Sequence, residues 1–396
     1  MKRVAVALLI SLSVFIAGSQ PDIVAPYLAK NCYSLELNNM DLNFMGEDLD
    51  CQVFLSGALW HGTTYNYELQ YAMLTALHQQ AGVRYLLLDS GYATAQVFND
   101  YVHTGDFELM RIGMEGTRYN NSSCNEFRLL WEKIYLYNAR LSPQEKIVVL
   151  GIDVEYQVDV AINYLNYISD NQFSKHFPVT EYLGDPNALS RYVSVLKTAC
   201  QEDQALFENI FGDNLCHFER ILTNLADTVS ANLSSDYYAE REHIMYDNFL
   251  AALQRDPQGK FFGQFTMKHI YQRQVKEGNL ADSERLGTLL AGEDSPLRDK
   301  VVSIAAFYHD SEFRFYYGMY ENYRVFNDFI IDPLPAIKTA PGDITMYKLE
   351  GEDSPFTWDL YTVINPTGGV TTDYYQYLLI IKNSQPTTPN LMPPPK

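Results

Sequence analysis

Side chains that can bind or transfer protons follow five short apolar segments of this sequence. The segments are residues 51–57, 83–89, 146–153, 260–266 and 300–308. A histidine that is oriented by a carboxylate can take a proton from water near neutral pH, and the activated water can then attack an ester or a similar carbonyl. The residues at the ends of the segments are, in chain order, Trp60 and His61, then Asp89, then Asp153, then Thr266, Lys268 and His269, and last His309 and Asp310.

The five segments have the composition of buried strands in a parallel sheet, and helical patterns separate them. Between the first two, Thr63 and Thr64 supply capping hydroxyls, Leu69 and Leu77 lie at helical spacing, and Gly82 ends the helix. This alternation predicts an α/β fold whose layered core has a mainly parallel sheet flanked by helices. Ligands bind beyond the carboxyl ends of such strands, so the polar side chains are expected to share a cleft.

The remaining patterns divide the chain into further parts. Amphipathic helical segments without strands predict an all-helical insertion, and three β-rich segments, 343–351, 356–364 and 374–382, predict a C-terminal strand extension. The predicted organisation is a signal peptide at 1–19, the first part of the α/β core at 20–154, the helical insertion at 155–250, the second part of the core at 251–340, the strand extension at 341–382 and a disordered proline-rich tail at 383–396.

Composition limits the partners and the compartment. Two positive charges, an apolar run and a small-residue end over residues 1–19 are typical of a secretory signal peptide, so we expect an exported protein, periplasmic or extracellular. A formal charge of −20 disfavours nucleic acids and anionic membranes as partners, and no later apolar run is long enough for stable membrane insertion. A small molecule is the expected partner. Cys32–Cys51 and Cys200–Cys216 are plausible disulfides, although spacing alone does not fix the pairing.

Several chemistries lack their motifs. The sequence has no G-x-S-x-G elbow, no P-loop, no G-x-G-x-x-G after a strand and no H-E-x-x-H, which argues against a serine-triad hydrolase, a nucleotide enzyme and a zincin. Histidine and aspartate remain without an obvious nucleophile. His61, Asp89 and His269 are also types that bind a divalent transition metal, but no close ligand spacing supports that interpretation. We expect neither a metal nor another cofactor.

Four segments, in the same order, resemble the erythromycin esterase family. They are residues 54–102, which contain "GALWHGT" and "LLLDSG"; 137–155, "YNARLSPQEKIVVLGIDVE"; 241–253, "REHIMYDNFLAAL"; and 260–270, "KFFGQFTMKHI". The resemblance extends over roughly residues 50–330. It implies the family's α/β fold, with His61 at the position of the family's water-activating base.

The same alignment shows departures from the family pattern. Ala58 stands where the family has a glutamate, Gln70 where it has an arginine, and Thr266 where it has the first of two histidines. Asp89 replaces a glutamate and keeps the charge, and His269 matches the second histidine. A glutamine cannot form the bidentate charged contact that an arginine makes. The family's polar centre is thus only partly present.

The resemblance implies a secreted hydrolase that cleaves an ester or lactone with His-activated water. His61 is then the general base, Asp89 its orienting partner and His269 the support of the oxyanion. The alternative is a catalytically inactive protein on the same fold that binds a small molecule or glycan, with Trp60 as a stacking surface. The predicted substrate-binding residues are Trp60, Gln70, Asp153, Arg241, Asp247, Asn248, Thr266 and Lys268.

Overall fold

A computed structural model describes residues 23–118, 120–276, 282–317, 320–326 and 334–390. The proposed signal peptide at 1–19 lies outside these residues. The strands of the described residues are β1 (Cys32–Ser34), β2 (Val53–Ala58), β3 (Tyr85–Leu88), β4 (Val148–Gly151), β5 (Phe261–Thr266), β6 (Val275–Lys276), β7 (Asp282–Ser283), β8 (Val301–His309), β9 (Ser311–Tyr317), β10 (Tyr320–Phe326), β11 (Ile344–Lys348) and β12 (Tyr377–Lys382).

Eight strands form the main sheet, in the order β1-β11-β12-β8-β2-β5-β3-β4, and the pairs β9–β10 and β6–β7 form two small sheets. The helices are α1 (Val24–Lys30), α2 (Thr64–Ala81), α3 (Tyr92–Thr104), α4 (Phe107–Glu115), α5 (Asn125–Asn138), α6 (Val158–Ile168), α7 (Phe173–His176), α8 (Pro186–Glu202), α9 (Gln204–Phe211), α10 (Leu215–Leu233), α11 (Tyr237–Arg255), α12 (Met267–Ile270), α13 (Leu286–Ala291) and α14 (Leu334–Thr339). Among the described residues, every helix is too short or too polar to span a bilayer.

The five apolar segments of the sequence are the parallel centre of the sheet, which confirms the predicted α/β class. β2 pairs in parallel with β5 and with β8, and β3 pairs in parallel with β5 and with β4. Their carboxyl ends therefore point the same way. The chain then leaves each strand at one edge of the sheet, where His61 and Asp89 follow β2 and β3.

Successive side chains along each strand of the main sheet point to opposite faces, which divides the core into two layers. Phe54 and Phe262 face one layer, which packs against α2, α3 and α5, whereas Leu55 and Phe265 face the other, which packs against α11 to α13. A side chain that follows a strand can thus lie on either side of the sheet, depending on its position in the turn. This division decides which of the predicted residues meet.

Residues 155–255 form helices α6 to α11 without a strand. In the C-terminal part, β11 is antiparallel to β12, and β12 is parallel to β8, so both strands extend the main sheet. The predicted strand at 356–364 is wrong: a short 3-10 helix, Pro355–Thr357, and irregular backbone occupy it. All five cysteines are free thiols, so neither suggested disulfide is formed.

The segment 383–390 is held against the body of the protein and is not the disordered tail predicted for it. Pro386 pairs with Thr63, and Pro389 pairs with Cys124, as isolated antiparallel bridges. The rest of that prediction, residues 391–396, lies outside the described residues. Backbone hydrogen bonds to α2 and to the start of α5 thus offset the low intrinsic order of a proline-rich segment.

Candidate functional site

A pocket of about 460 Å³ opens at the carboxyl ends of β2, β3 and β4. His61 and Asp89 both line it, together with Gln70 from α2 and Gln264 from β5. Within the described residues, no hydrogen bond joins His61 to Asp89, and neither side chain is bonded elsewhere in the protein. Both are therefore available to a bound molecule or to water.

Gly62 sets the course of the loop that carries His61. Its φ of +110° lies in a region that favours glycine, and a Cβ there would come within 2.2 Å of the Arg314 carbonyl oxygen. The Gly62 carbonyl oxygen accepts hydrogen bonds from the backbone N–H groups of Arg314, at 2.9 Å, and Thr387, at 3.1 Å. Strand β9 and the segment 383–390 thus fix the backbone next to His61 from two sides.

Ser384 completes the start of α2. Its Oγ accepts hydrogen bonds from the Thr63 hydroxyl at 2.5 Å and from the Tyr65 N–H at 3.1 Å. The Thr64 N–H donates to the Gln385 carbonyl at 2.8 Å. The first turn of a helix leaves N–H groups without intrahelical partners. Here residues distant in the chain satisfy those groups and anchor the His61 loop.

Replacing Ser384 with alanine is expected to lower the free energy of unfolding by about 1 kcal/mol, as the loss of a helix-capping oxygen commonly does. Urea unfolding of the purified variant measures this. Ser194→Ala is the matched control, because Ser194 is exposed on α8 and bonds only within its helix. Equal losses in the two variants would contradict a capping role for Ser384.

The inner wall of the pocket is aromatic. Trp131 stacks on Phe98 with ring centroids 4.2 Å apart, and Phe127 meets Trp131 edge to face at 5.8 Å. Trp131 and Ser90 line this pocket, and the Nε1 atom of Trp131 and the Oγ atom of Ser90 are buried without a hydrogen-bond partner among the described residues. Buried polar atoms are normally paired, so these two atoms are exceptions, and neither is open to solvent.

Glu155 forms part of the pocket floor, and no sequence pattern singled it out. Its Oε1 accepts from the Thr94 hydroxyl at 2.7 Å and its Oε2 from the Thr94 N–H at 3.1 Å, while the Gln157 N–H also donates to Oε1. These hydrogen bonds lower the pKa of the Glu155 carboxyl, but burial raises it more, and the result is about 7. The position after β4 was visible in "GIDVE", but we expected Asp153 to be the functional carboxylate there.

Uncharged polar groups line the opposite wall. The Gln264 amide donates to the Asn66 carbonyl at 2.9 Å, which fixes Gln264 in place. Gln70 is buried, and its side chain forms no hydrogen bond with the described residues. No lysine or arginine lines the described part of the pocket, whereas Asp89 and Glu155 do. The site therefore disfavours anions and suits a neutral or positively charged molecule.

His269 is outside the pocket, in the second core layer. Its Nδ1 lies 2.9 Å from Oε1 of Glu242, and the same carboxylate accepts from Arg285 at 3.0 Å and from the Leu286 N–H at 2.9 Å. The sequence alone predicts that His269 lies beside His61. The turn after β5 instead directs it between α11 and α13, where it is 5% exposed and bonded to Glu242.

Two neighbours of His269 also lie apart from the pocket, and so does Trp60. Thr266 ends β5, and Lys268 is half-buried on α12, where burial and the charge of Arg285 lower the pKa of its amine. Trp60 is 40% exposed beside the pocket and meets Phe315 edge to face at 6.1 Å. Its position is that of a rim residue rather than a lining residue.

The predicted residues of the third strand and of α11 hold elements together. Arg241 donates from Nε to both carboxylate oxygens of Asp153, at 2.9 and 3.0 Å. Burial raises the pKa of Asp153 and Arg241 opposes that rise. The Asn248 amide donates to the Ile152 carbonyl at 3.0 Å, and Asp247 is exposed away from the pocket. Gln70 is therefore the member of the predicted substrate-binding set that lines the pocket.

Within the described residues, no three histidine, cysteine, aspartate or glutamate side chains are grouped as a metal site would require. His309 pairs with Asp310 at 3.2 Å, outside the pocket. The chemistry that this pocket can perform with its own side chains is therefore proton transfer by His61, Asp89 and Glu155, with amide groups to bind polar atoms.

Three solved structures share this fold. A Bacillus cereus protein has 16% sequence identity and a TM-score of 0.66, over 94% of this chain and 100% of its own. A succinoglycan biosynthesis protein has 13% identity and a TM-score of 0.67, over 93% and 100%. An erythromycin esterase mutant in its open conformation has 12% identity and a TM-score of 0.59, over 90% and 98%.

The protein therefore has an erythromycin-esterase-like fold. No family model matches the sequence, and no curated protein matches it either. At these identities the likeness extends to the fold, and the chemistry of the site has to be argued from its own residues.

Proposed function

We propose that the protein is an exported hydrolase that cleaves an ester or lactone bond of a neutral or cationic small molecule. The observation that carries this proposal is that His61 and Asp89, neither of them bonded within the described protein, line one pocket beyond the carboxyl ends of β2 and β3. Export rests on the signal-like residues 1–19 alone.

In the proposed reaction His61 takes a proton from water, and the resulting hydroxide attacks the carbonyl carbon. Asp89 favours the protonated imidazole through its negative charge. The Gln70 side-chain amide has no hydrogen-bond partner among the described residues, so it can donate a hydrogen bond to the oxyanion that develops. Neutral amides can stabilise an oxyanion in this way. Glu155, with its pKa raised to about 7 by burial, can hold the proton that the leaving alcohol requires.

The substrate class follows from the walls of the pocket. A flat apolar part would lie against the wall formed by Phe98, Phe127 and Trp131. The carboxylate of Asp89 and the lack of lysine or arginine among the described lining residues disfavour a strongly anionic substrate. We therefore favour neutral or amine-bearing cyclic esters.

A binding protein without turnover is the second candidate. Ala58 supplies no acid or base at the end of β2, and His269 is bonded to Glu242 outside the pocket. A site that lacks these groups but keeps aromatic and amide walls can still hold a neutral ligand, including a glycan.

His61→Ala is expected to reduce hydrolysis by about 10²- to 10⁴-fold, the usual contribution of a positioned base. The assay uses a panel of neutral, cationic and anionic esters and lactones with the purified chain. His176→Ala is the control, since His176 is exposed on α7. A rate unchanged by His61→Ala would contradict the role of His61. Thermal stabilisation by panel members without turnover would support the binding protein instead.

A further inference from the structure

A second cavity, of about 290 Å³, lies against the outer edge of β4. β4 is the last strand of the main sheet, and residues 148–152 form one wall of this cavity. Helices α3, α10 and α11 form the others. The cavity shares none of its lining residues with the pocket that contains His61. It is therefore a separate site.

The charge of this cavity is opposite to that of the protein. Arg220 and Arg255 line it, and no aspartate or glutamate does among the described residues. The whole chain carries 49 acidic against 29 basic side chains, so two guanidinium groups facing one cavity are unusual here. Neither forms an ion pair with a carboxylate of the described residues, and Arg220 lies over the Tyr92 ring at 5.5 Å.

The carboxylates near this cavity accept hydrogen bonds from uncharged donors. Asp256 accepts from the Tyr85 hydroxyl at 2.8 Å, and Asp100 accepts from the Gln96 amide at 2.7 Å. Burial lowers the pKa of Arg255, and the positive charge of Arg220 lowers it further. Both arginines are exposed, so the two cations repel each other at the open side of the cavity, and a negative ligand between them would remove that repulsion.

His217 adds a third donor. Its Nδ1 is 2.8 Å from the Tyr92 hydroxyl, and burial lowers the pKa of the ring, which favours its neutral form. If the hydroxyl donates to Nδ1, the proton of the neutral ring is on Nε2, which can then donate. Two guanidinium groups and an imidazole N–H match the several acceptor oxygens of a phosphate or a pair of carboxylates.

We propose that Arg220, Arg255 and His217 form a binding site for a small organic dianion, with its charged end on the two arginines and its body against the rings of Tyr85 and Tyr92. The cavity is larger than a bare inorganic phosphate needs and lies near the lower limit for small-molecule sites. A phosphate monoester and a dicarboxylate share the required chemistry. This site binds independently of the reaction proposed for His61.

Calorimetric titration of the full chain at low salt, in a buffer without phosphate, tests the site. The probes are phenyl phosphate, phthalate, inorganic phosphate and the neutral benzyl alcohol. We expect phenyl phosphate or phthalate to bind with a dissociation constant in the millimolar range or below, and benzyl alcohol not to bind. Preference between the first two identifies the source of the negative charge. Binding by neither, or equal binding of benzyl alcohol, overturns the proposal.

The double variant Arg220→Gln and Arg255→Gln should weaken that binding by about a hundredfold or more, because two charged hydrogen-bonding groups are lost. Arg140→Gln with Arg298→Gln removes the same charge from two equally exposed positions elsewhere and should bind like the unaltered chain. Arg255→Lys should retain part of the affinity. His61→Ala should bind normally, which separates this site from the proposed reaction. Equal weakening in the two double variants would reduce the effect to net charge and overturn the proposal.

Discussion

Replacing Glu242 with glutamine is expected to lower the free energy of unfolding by about 3 to 5 kcal/mol at neutral pH, the usual cost of breaking a buried ion pair. Glu242 is 0% exposed and its two oxygens accept from His269, Arg285 and the Leu286 N–H. A glutamine offers one accepting oxygen and directs an NH2 group at a donor. The variant therefore loses both the charge and a satisfied hydrogen-bond pattern.

The size of this loss should depend on pH. Burial raises the pKa of Glu242, but His269 and Arg285 lower it more, and the result is about 2. Because the folded-state pKa is below that of the unfolded chain, about 4.5, the stabilisation is complete above that pH and disappears as the pH falls towards 2. The unaltered protein and the variant should therefore converge in stability in acid.

Urea unfolding at pH 7, 5 and 3 measures this convergence. Glu181→Gln is the control, since Glu181 pairs with Arg191 on the surface, where both side chains are about half exposed. Exposed ion pairs contribute little to stability, so this variant should unfold like the unaltered protein at every pH. A difference for Glu242→Gln that stays constant from pH 7 to 3 would contradict the lowered pKa.

Replacing Gly62 with alanine is expected to cost about 2 to 5 kcal/mol, the sum of a left-handed backbone for a non-glycine residue and an overpacked contact. The new Cβ would lie 2.2 Å from the Arg314 carbonyl, a backbone atom of β9 that cannot rotate away. The loop between β2 and α2 must then shift, so the variant should also lose whatever activity or binding depends on His61.

Gly368→Ala isolates the backbone contribution to this loss. Gly368 has a similar φ of +124°, but a Cβ there would meet no atom within 4 Å. It should therefore show only the smaller conformational cost. Unfolding by urea together with ligand-induced thermal shifts compares the two variants. Similar destabilisation by both would show that contact with Arg314 is unimportant.

The parallel centre of the sheet was predictable because its five strands carry a local signal. Largely apolar runs such as residues 301–308 favour burial, and the helix that follows β2 ends at a glycine, Gly82. The predicted capping by the Thr63 hydroxyl is wrong, because that hydroxyl is directed at Ser384 and Gln385 and caps no N–H group of α2. The two-residue strands β6 and β7 and the irregular segment 356–364 lack such a signal, since aromatic content alone does not distinguish a strand from packed loop.

The candidate site was only half predictable for a geometric reason. Asp89 follows β3 directly, and His61 follows β2 after two loop residues, so both stay at the edge of the sheet where their strands end. His269 also comes three residues after its strand, but Met267–Ile270 form α12, which directs His269 to Glu242 in the other layer. Sequence spacing does not reveal this difference. Glu155 was missed because its role depends on contact with Thr94, 61 residues away in the chain.

The position of β12 affects how this protein reaches its native state. β12 lies between β8 and β11 in the interior of the main sheet, so neither pairing can form until Tyr377–Lys382 has left the ribosome. Folds dominated by such distant pairings acquire structure slowly and meanwhile expose apolar strand edges. We therefore expect the nascent chain to depend on chaperones until translation has passed β12, and truncations before β12 to aggregate.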